Sequence, residues 1–148
     1  WYIARLTAAG GVPLFSPEQM VAIEPARFNL PQNTVVLETV RRLHADGYKL
    51  AICTNNFLET RDFWQAGLPL DLFDAIVVSC DLGVRKPDPE MFEHVSDALQ
   101  THAEAIVLLD DLPANIAGAR RAGWHTVLVG ADPQQAIEEL DRILAQDR

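Results

Sequence analysis

Nowhere in its 148 residues does this chain hold the roughly 18 to 20 consecutive apolar residues that a membrane-spanning helix needs, nor the pattern of a secretory signal. Basic residues are scarce as well. The 12 Lys and Arg stand against 21 Asp and Glu, a formal charge of −9, and the cations are scattered rather than clustered. That argues against a nucleic-acid surface, because phosphate backbones are gripped by clustered Lys and Arg. A local cation can still override the global field, which leaves room for a small anionic substrate. Cysteine is confined to Cys53 and Cys80, in or beside apolar runs and with no CxxC spacing, so reduced core thiols of a cytoplasmic protein are expected. His44, His94, His102 and His125 show no metal-ligand spacing either. An initiator Met is missing too: the sequence opens at Trp1, already inside an apolar segment, as a processed, truncated or partial form would.

What is present is one core's worth of apolar residues, 49% of the chain, arranged in alternating helix and strand patterns from Thr34 onward. Such alternation with short connections predicts βαβ units and a parallel sheet. Val36, Leu37, Val40 and Leu43 recur at helical spacing before Gly47, and Tyr48 to Cys53 then reads as a strand that delivers Thr54, Asn55 and Asn56 at its carboxyl end. A helix carrying Phe57, Phe63 and Trp64 follows, then a strand at Ala75 to Ser79 and a loop through Gly83, Arg85 and Lys86. Asp88 and Pro89 open a helix whose buried stripe is Met91, Phe92, Val95 and Leu99. After the run Ile106–Asp110 come a helix from Ala114 to Ala122 stopped by Gly123, a strand at His125 to Val129, and a last helix facing Ile137, Leu140 and Leu144 inward. The first 30 residues do not alternate; Ser16-Pro17-Glu18-Gln19 is a capping-box-like start, and this part is expected to be a small helical element separate from the α/β core of 31–148.

The segment Ile106-Val107-Leu108-Leu109-Asp110-Asp111-Leu112-Pro113-Ala114-Asn115 stops abruptly at two carboxylates, at the end of a strand where open α/β sheets bind ligands. Adjacent like charges resist joint ionisation unless a cation neutralises them, and oxygen ligands suit Mg²⁺. The pair also fits an ordinary helix N-cap with its neighbour. Two upstream signals weigh for the cation: Thr54 with Asn55, and Lys86, stand at the ends of successive strands or in the loops after them. A hydroxyl, an ammonium and paired carboxylates with a metal are what phosphoryl transfer requires.

Leu50-Ala51-Ile52-Cys53-Thr54-Asn55-Asn56, Gly83-Val84-Arg85-Lys86-Pro87-Asp88-Pro89-Glu90-Met91-Phe92 and Val107–Asn115, in that order, resemble the haloacid dehalogenase-like hydrolase superfamily over about residues 29 to 130. Leu72-Phe73-Asp74 and Ala119–Gly123 resemble its subgroup with a helical cap inserted after the first strand, which includes the phosphatase domain of soluble epoxide hydrolases and bacterial sugar-phosphate phosphatases. The resemblance implies a three-layer Rossmann-like parallel sheet and phosphatase activity on small phosphorylated metabolites through an aspartyl-phosphate. It implies that Thr54 and Asn55 bind the phosphoryl group and that Lys86 neutralises its charge. Asp111 would ligate Mg²⁺, with Asp110 and Asn115 ordering the metal's surroundings.

One part of the family pattern is absent. The nucleophile is the first Asp of a DxD motif ending the first strand, and no such motif precedes Thr54; Asp71-Leu72-Phe73-Asp74 has the wrong spacing. The resemblance places that strand between those ending at Thr54 and Asp110, so its omission exposes two strand edges and an apolar strip. Residues outside this sequence, or another chain, would supply it, or else the domain rearranges. Without it the chain is expected to be inactive and to bind Mg²⁺ weakly or not at all. A domain that has lost catalysis is the first alternative. A metal-independent dehalogenase is the second, and the paired aspartates argue against it.

Overall fold

A computed structural model describes residues 33–58, 61–66 and 68–146. The expected helical element over 1–30 lies outside them. The chain opens with α1 (Thr34–Ala45), whose first turn is capped by Asn33: its side-chain oxygen accepts from the N–H groups of Val35 and Val36 at 3.1 and 3.2 Å. Then follow β1 (Ala51–Thr54), α2 (Arg61–Gln65), β2 (Ala75–Val78), α3 (Ser79–Leu82), α4 (Pro89–Leu99), β3 (Val107–Asp110), α5 (Pro113–Arg121), β4 (His125–Leu128) and α6 (Pro133–Gln146). Among the described residues no helix is long and apolar enough to cross a membrane.

The βα alternation is as the sequence predicts, with local differences. β1 begins at Ala51 rather than Tyr48. The Tyr48 N–H is taken by the Leu43 carbonyl (3.0 Å) and the Leu50 N–H by the Asp74 carboxylate (2.8 Å), so the ladder starts only beyond them. The expected Phe57–Trp64 helix shrinks to α2, with Phe57 outside it. The stretch after β2 contains the single turn α3, closed by Gly83 at φ +73°, where a Cβ would be strained. Asp88 does stand at the N-cap of α4, yet its side chain makes no capping bond; its backbone carbonyl accepts from Met91 instead (3.1 Å).

β1 pairs in parallel with β2, from Ala51 opposite Ala75 to Thr54 opposite Val78. β3 pairs in parallel with β4, from Val107 opposite His125 to Asp110 opposite Leu128. No ladder joins β1 to β3 among the described residues, whose strands form two parallel pairs. Helices cover both faces. On one, Met91, Phe92, Val95 and Leu99 of α4 pack with Ile116 and Ala119 of α5, Val77, Leu108 and Trp124, with Phe92 and Trp124 edge-to-face at 5.3 Å. On the other, Leu43 of α1 meets Ala136 and Leu140 of α6 over Val127. The four apolar positions of α4 and Ile137 and Leu140 of α6 are buried as their periodicity predicts; Leu144 is half-buried.

Gly118 shows how closely α5 approaches the loop before α4. A Cβ at this position would lie 2.8 Å from the Pro87 Cβ and 2.9 Å from its carbonyl oxygen. In an exposed helix Gly→Ala stabilises by about 1 kcal/mol. Here overpacking outweighs that gain, and Gly118→Ala is expected to destabilise by about 1 to 2 kcal/mol in urea titration. A raised midpoint would show that the loop yields freely.

Candidate active site

The loop held against Gly118 carries Lys86, and the structure brings it to the carboxyl ends of both strand pairs. The Lys86 ammonium donates to the Cys53 carbonyl on β1 and to Asp110 Oδ2 on β3, each at 2.6 Å. Both side chains are nearly out of solvent, 9% exposed for Lys86 and 6% for Asp110. A charge pair this deep persists only when its remaining hydrogen-bonding capacity is met. Asp110 Oδ1 meets that demand by accepting from the Leu112 N–H (2.8 Å) and from the Asn115 side-chain amide (2.9 Å). Burial pushes the Asp110 carboxyl up, but the Lys86 ammonium, the Leu112 N–H and the Asn115 amide together pull it further down, below its ordinary value.

Asn55 holds the Lys86 backbone from both sides. Its side-chain amide donates to the Lys86 carbonyl and its oxygen accepts from the Lys86 N–H, both at 2.8 Å. The sequence assigns Asn55 to substrate binding. The structure shows its amide engaged with the Lys86 loop, a role for which the sequence carries no signal because both contacts are to backbone. Gly118 is not legible as part of the site, as a lone glycine inside a helical pattern says nothing of what lies opposite it.

Thr54 ends β1, half-buried, and its hydroxyl makes no hydrogen bond among the described residues, which leaves it available to a ligand. Asp111 follows Asp110, solvent-exposed and likewise without a hydrogen bond or ion pair among the described residues. Lys86, Asp110, Asn115 and Asn55 are thus one bonded network, with Thr54 and Asp111 beside it in sequence and open. Cys53 faces the interior. Burial pushes its thiol up to about 11, against the opposing pull of Lys86, so it stays protonated at neutral pH and is no nucleophile.

The donor set suits a hard cation only in part. Both oxygens of Asp110 are already engaged with N–H donors, so Asp111 is the carboxylate free to ligate. Among the described residues no group of three or more His, Cys, Asp or Glu gathers as a metal cage. Mg²⁺ accepts such a site, because it binds through one or two carboxylates and keeps several waters.

The model of haloacid dehalogenase-like hydrolases matches residues 2–123 of this sequence. The chain belongs to this hydrolase family. Its curated relatives include bifunctional epoxide hydrolase 2 of Rattus norvegicus, 33% identical over 75% of the chain and 21% of that protein. Pyrophosphatase PpaX of Halalkalibacterium halodurans is 38% identical over 64% of the chain and 45% of its own length. Among solved structures, a 2-haloacid dehalogenase from Pseudomonas syringae superposes with a TM-score of 0.71 at 25% identity, over 88% of the chain and 60% of the other. The chain spans less than half the length of either of these two curated relatives. Its α/β architecture of parallel strands between helices is that of the family.

Proposed function

We propose that this domain forms most of the active site of a Mg²⁺-dependent phosphatase acting on small phosphorylated metabolites, whose nucleophilic Asp is carried upstream of Trp1. The observation behind this reading is the Lys86 ammonium, held between the Cys53 carbonyl and Asp110 at the strand ends, with Thr54 and Asp111 next in sequence to the groups it bonds and neither making a hydrogen bond among the described residues. A buried cation bonded on two sides, at the strand ends where Thr54 also lies, is suited to hold a phosphoryl group and to offset charge that develops on it in transfer. Asn55 fixes the loop that carries the cation, and Asp110 orients it. Mg²⁺, when bound, would neutralise further phosphate charge, with Asp111 as ligand and Asp110 and Asn115 ordering the hydration around it.

The Thr54 hydroxyl makes no hydrogen bond to a base among the described residues, so these are read as stabilising charge without accepting a phosphoryl group. That is why the nucleophile is placed outside them. The phosphatase names among the relatives support phosphate chemistry, and the exposed Asp111 favours it over metal-free attack on carbon.

The test is Mg²⁺ binding followed by calorimetry, in this chain and in the same chain with its natural upstream residues. Residues 1–148 are expected to bind in the millimolar range, the extended polypeptide more tightly, and Asp111→Asn is expected to abolish binding in both. Tight binding that survives Asp111→Asn would place the metal elsewhere and overturn the assignment.

A further inference from the structure

Thr54 ends the β1–β2 ladder opposite Val78, and beyond that pair the two chains part. β2 turns directly into α3 at Ser79, while the chain leaving β1 runs on through Asn55 and Asn56 with no strand partner among the described residues. Side chains fix this loop where the ladder stops. At Asn55 the fixing is done by its own amide, which bonds the backbone N–H and carbonyl of Lys86 at 2.8 Å each. At Asn56 it is done by Ser79, whose hydroxyl accepts from the Asn56 N–H at 3.0 Å and donates to the Asn56 carbonyl at 3.2 Å.

A hydroxyl carries one donor and two acceptor sites, so a single serine can engage both backbone groups of one residue, as neighbouring strands do in a ladder. The Ser79 hydroxyl is not spent on its own helix: the N-cap of α3 is Val78, and no side chain caps the turn. Ser79 is itself held in place. The Gly83 N–H closes the turn on the Ser79 carbonyl at 3.0 Å, and Val77 and Val78 just before it are buried. From α2, Arg61 pairs with Asp81 and reaches the Cys80 sulfur at 3.6 Å. α3 is thus a one-turn anchor between the core end of β2 and the loop that leaves β1.

We infer that Ser79 is a positioning residue of the active site: by holding Asn56 it keeps Thr54 and Asn55 in place and, through Asn55, the loop that carries Lys86. The inference rests on the reading of Thr54 and Lys86 as the groups that hold the phosphoryl, and it adds the residue that fixes one relative to the other. Thr54, Asn55 and Asn56 are consecutive, so releasing the third places a hinge directly beside the first two. A shift of about 1 Å in a binding group costs on the order of 100-fold in rate, and loss of one anchor out of several is expected to cost about tenfold. Ser79 is half-buried, so water can take up the two Asn56 groups when the hydroxyl is removed, and the fold survives the change.

Ser79→Ala and Ser79→Thr are compared by two readouts: amide hydrogen exchange in residues 1–148, and hydrolysis of p-nitrophenyl phosphate by the same chain with its natural upstream residues. Ser79→Ala should speed exchange at Asn56, which loses its acceptor, and at Lys86, whose acceptor Asn55 is loosened, by about fivefold to tenfold. The ladder amides of β3 and β4 should not change. In the extended chain Ser79→Ala should lower kcat/KM about tenfold, and Ser79→Thr, which retains the hydroxyl, should match the parent in both readouts. Thr126→Val serves as the control for stability. It removes a buried hydroxyl that accepts from Arg120 at 2.8 Å on the outer strand β4, and should lower the melting temperature without changing kcat/KM. Positioning is overturned if Ser79→Ala leaves the Lys86 amide or kcat/KM as in the parent, or if Ser79→Thr keeps Asn56 protected yet loses activity. It is also overturned if Thr126→Val loses as much activity as Ser79→Ala, which would assign the loss to stability. Faster exchange at both Asn56 and Lys86, with no hydrolysis by the extended parent, would leave Ser79 as the anchor of the Lys86 loop and remove the phosphatase reading. Mg²⁺-dependent hydrolysis that Ser79→Ala leaves intact would do the reverse.

Discussion

Residues 1–148 alone are expected to leave p-nitrophenyl phosphate at its background rate, whereas the same chain extended upstream through a strand ending in Asp-x-Asp should hydrolyse it only with Mg²⁺ present. The expectation follows from the division of labour at the strand ends. On the proposed reading Lys86 and Thr54 hold and neutralise a phosphoryl group without accepting it: the ammonium is committed to Asp110 and Cys53, and the hydroxyl bonds to no base among the described residues. Loss of a nucleophile costs on the order of 10⁴-fold or more in turnover, with a residue of rate left to electrostatic stabilisation. The two polypeptides should therefore differ by several decades. Robust turnover by residues 1–148 that Lys86→Ala abolishes would point to direct attack by water. An upstream sequence without an Asp at that position would make this a non-catalytic domain of the family.

The second large effect is on stability. Lys86→Ala should lower it by about 3 kcal/mol, because the substitution leaves Asp110 charged, 6% exposed and without its cation. For a domain of this size that corresponds to a melting temperature lower by roughly 10 °C. Lys86→Met combined with Asp110→Asn should recover most of the loss, since an amide oxygen at position 110 can still accept from Leu112 and Asn115. Equal losses in the single and double variants would assign the effect to packing instead. The pair also sets an acid limit. The Asp110 carboxyl lies below its ordinary value in the fold, so its contribution is complete above that ordinary value, near pH 4, and disappears as pH falls through the lowered one. The double variant should lack that part of the acid transition, read by denaturation between about pH 5 and 2.

The parts of this molecule that the sequence makes legible are those governed by periodicity. Met91, Phe92, Val95 and Leu99 lie three and four residues apart, and all four are buried on one helix face. The apolar run ending at Asp110 reads as a strand from its length and its abrupt charged end. Boundaries and contacts to backbone are less visible. β1 starts late because Asp74, distant in sequence, takes the Leu50 N–H, and α3 is a single turn too short to show a period. At the site, the residue types at Thr54, Lys86, Asp110, Asp111 and Asn115 are legible as a group, but their pairing is not. That Lys86 bonds to Asp110, and that Asn55 grips the Lys86 backbone, follows from how two loops meet in space.

Both ladders join strands that are consecutive in the chain, β1 with β2 and β3 with β4, and each lies wholly within one half of the described sequence. The loops closed on forming them are short, so the entropic cost of pairing is small and the contact order of each half is low. Among the described residues, what spans the halves is side-chain packing, the Lys86–Asp110 and Arg42–Asp141 pairs and a hydrogen bond from the Lys49 ammonium to the Leu99 carbonyl, with no ladder between the two sheets. Low contact order lets each half gather its secondary structure early, so the meeting of the two is the step expected to come last in folding.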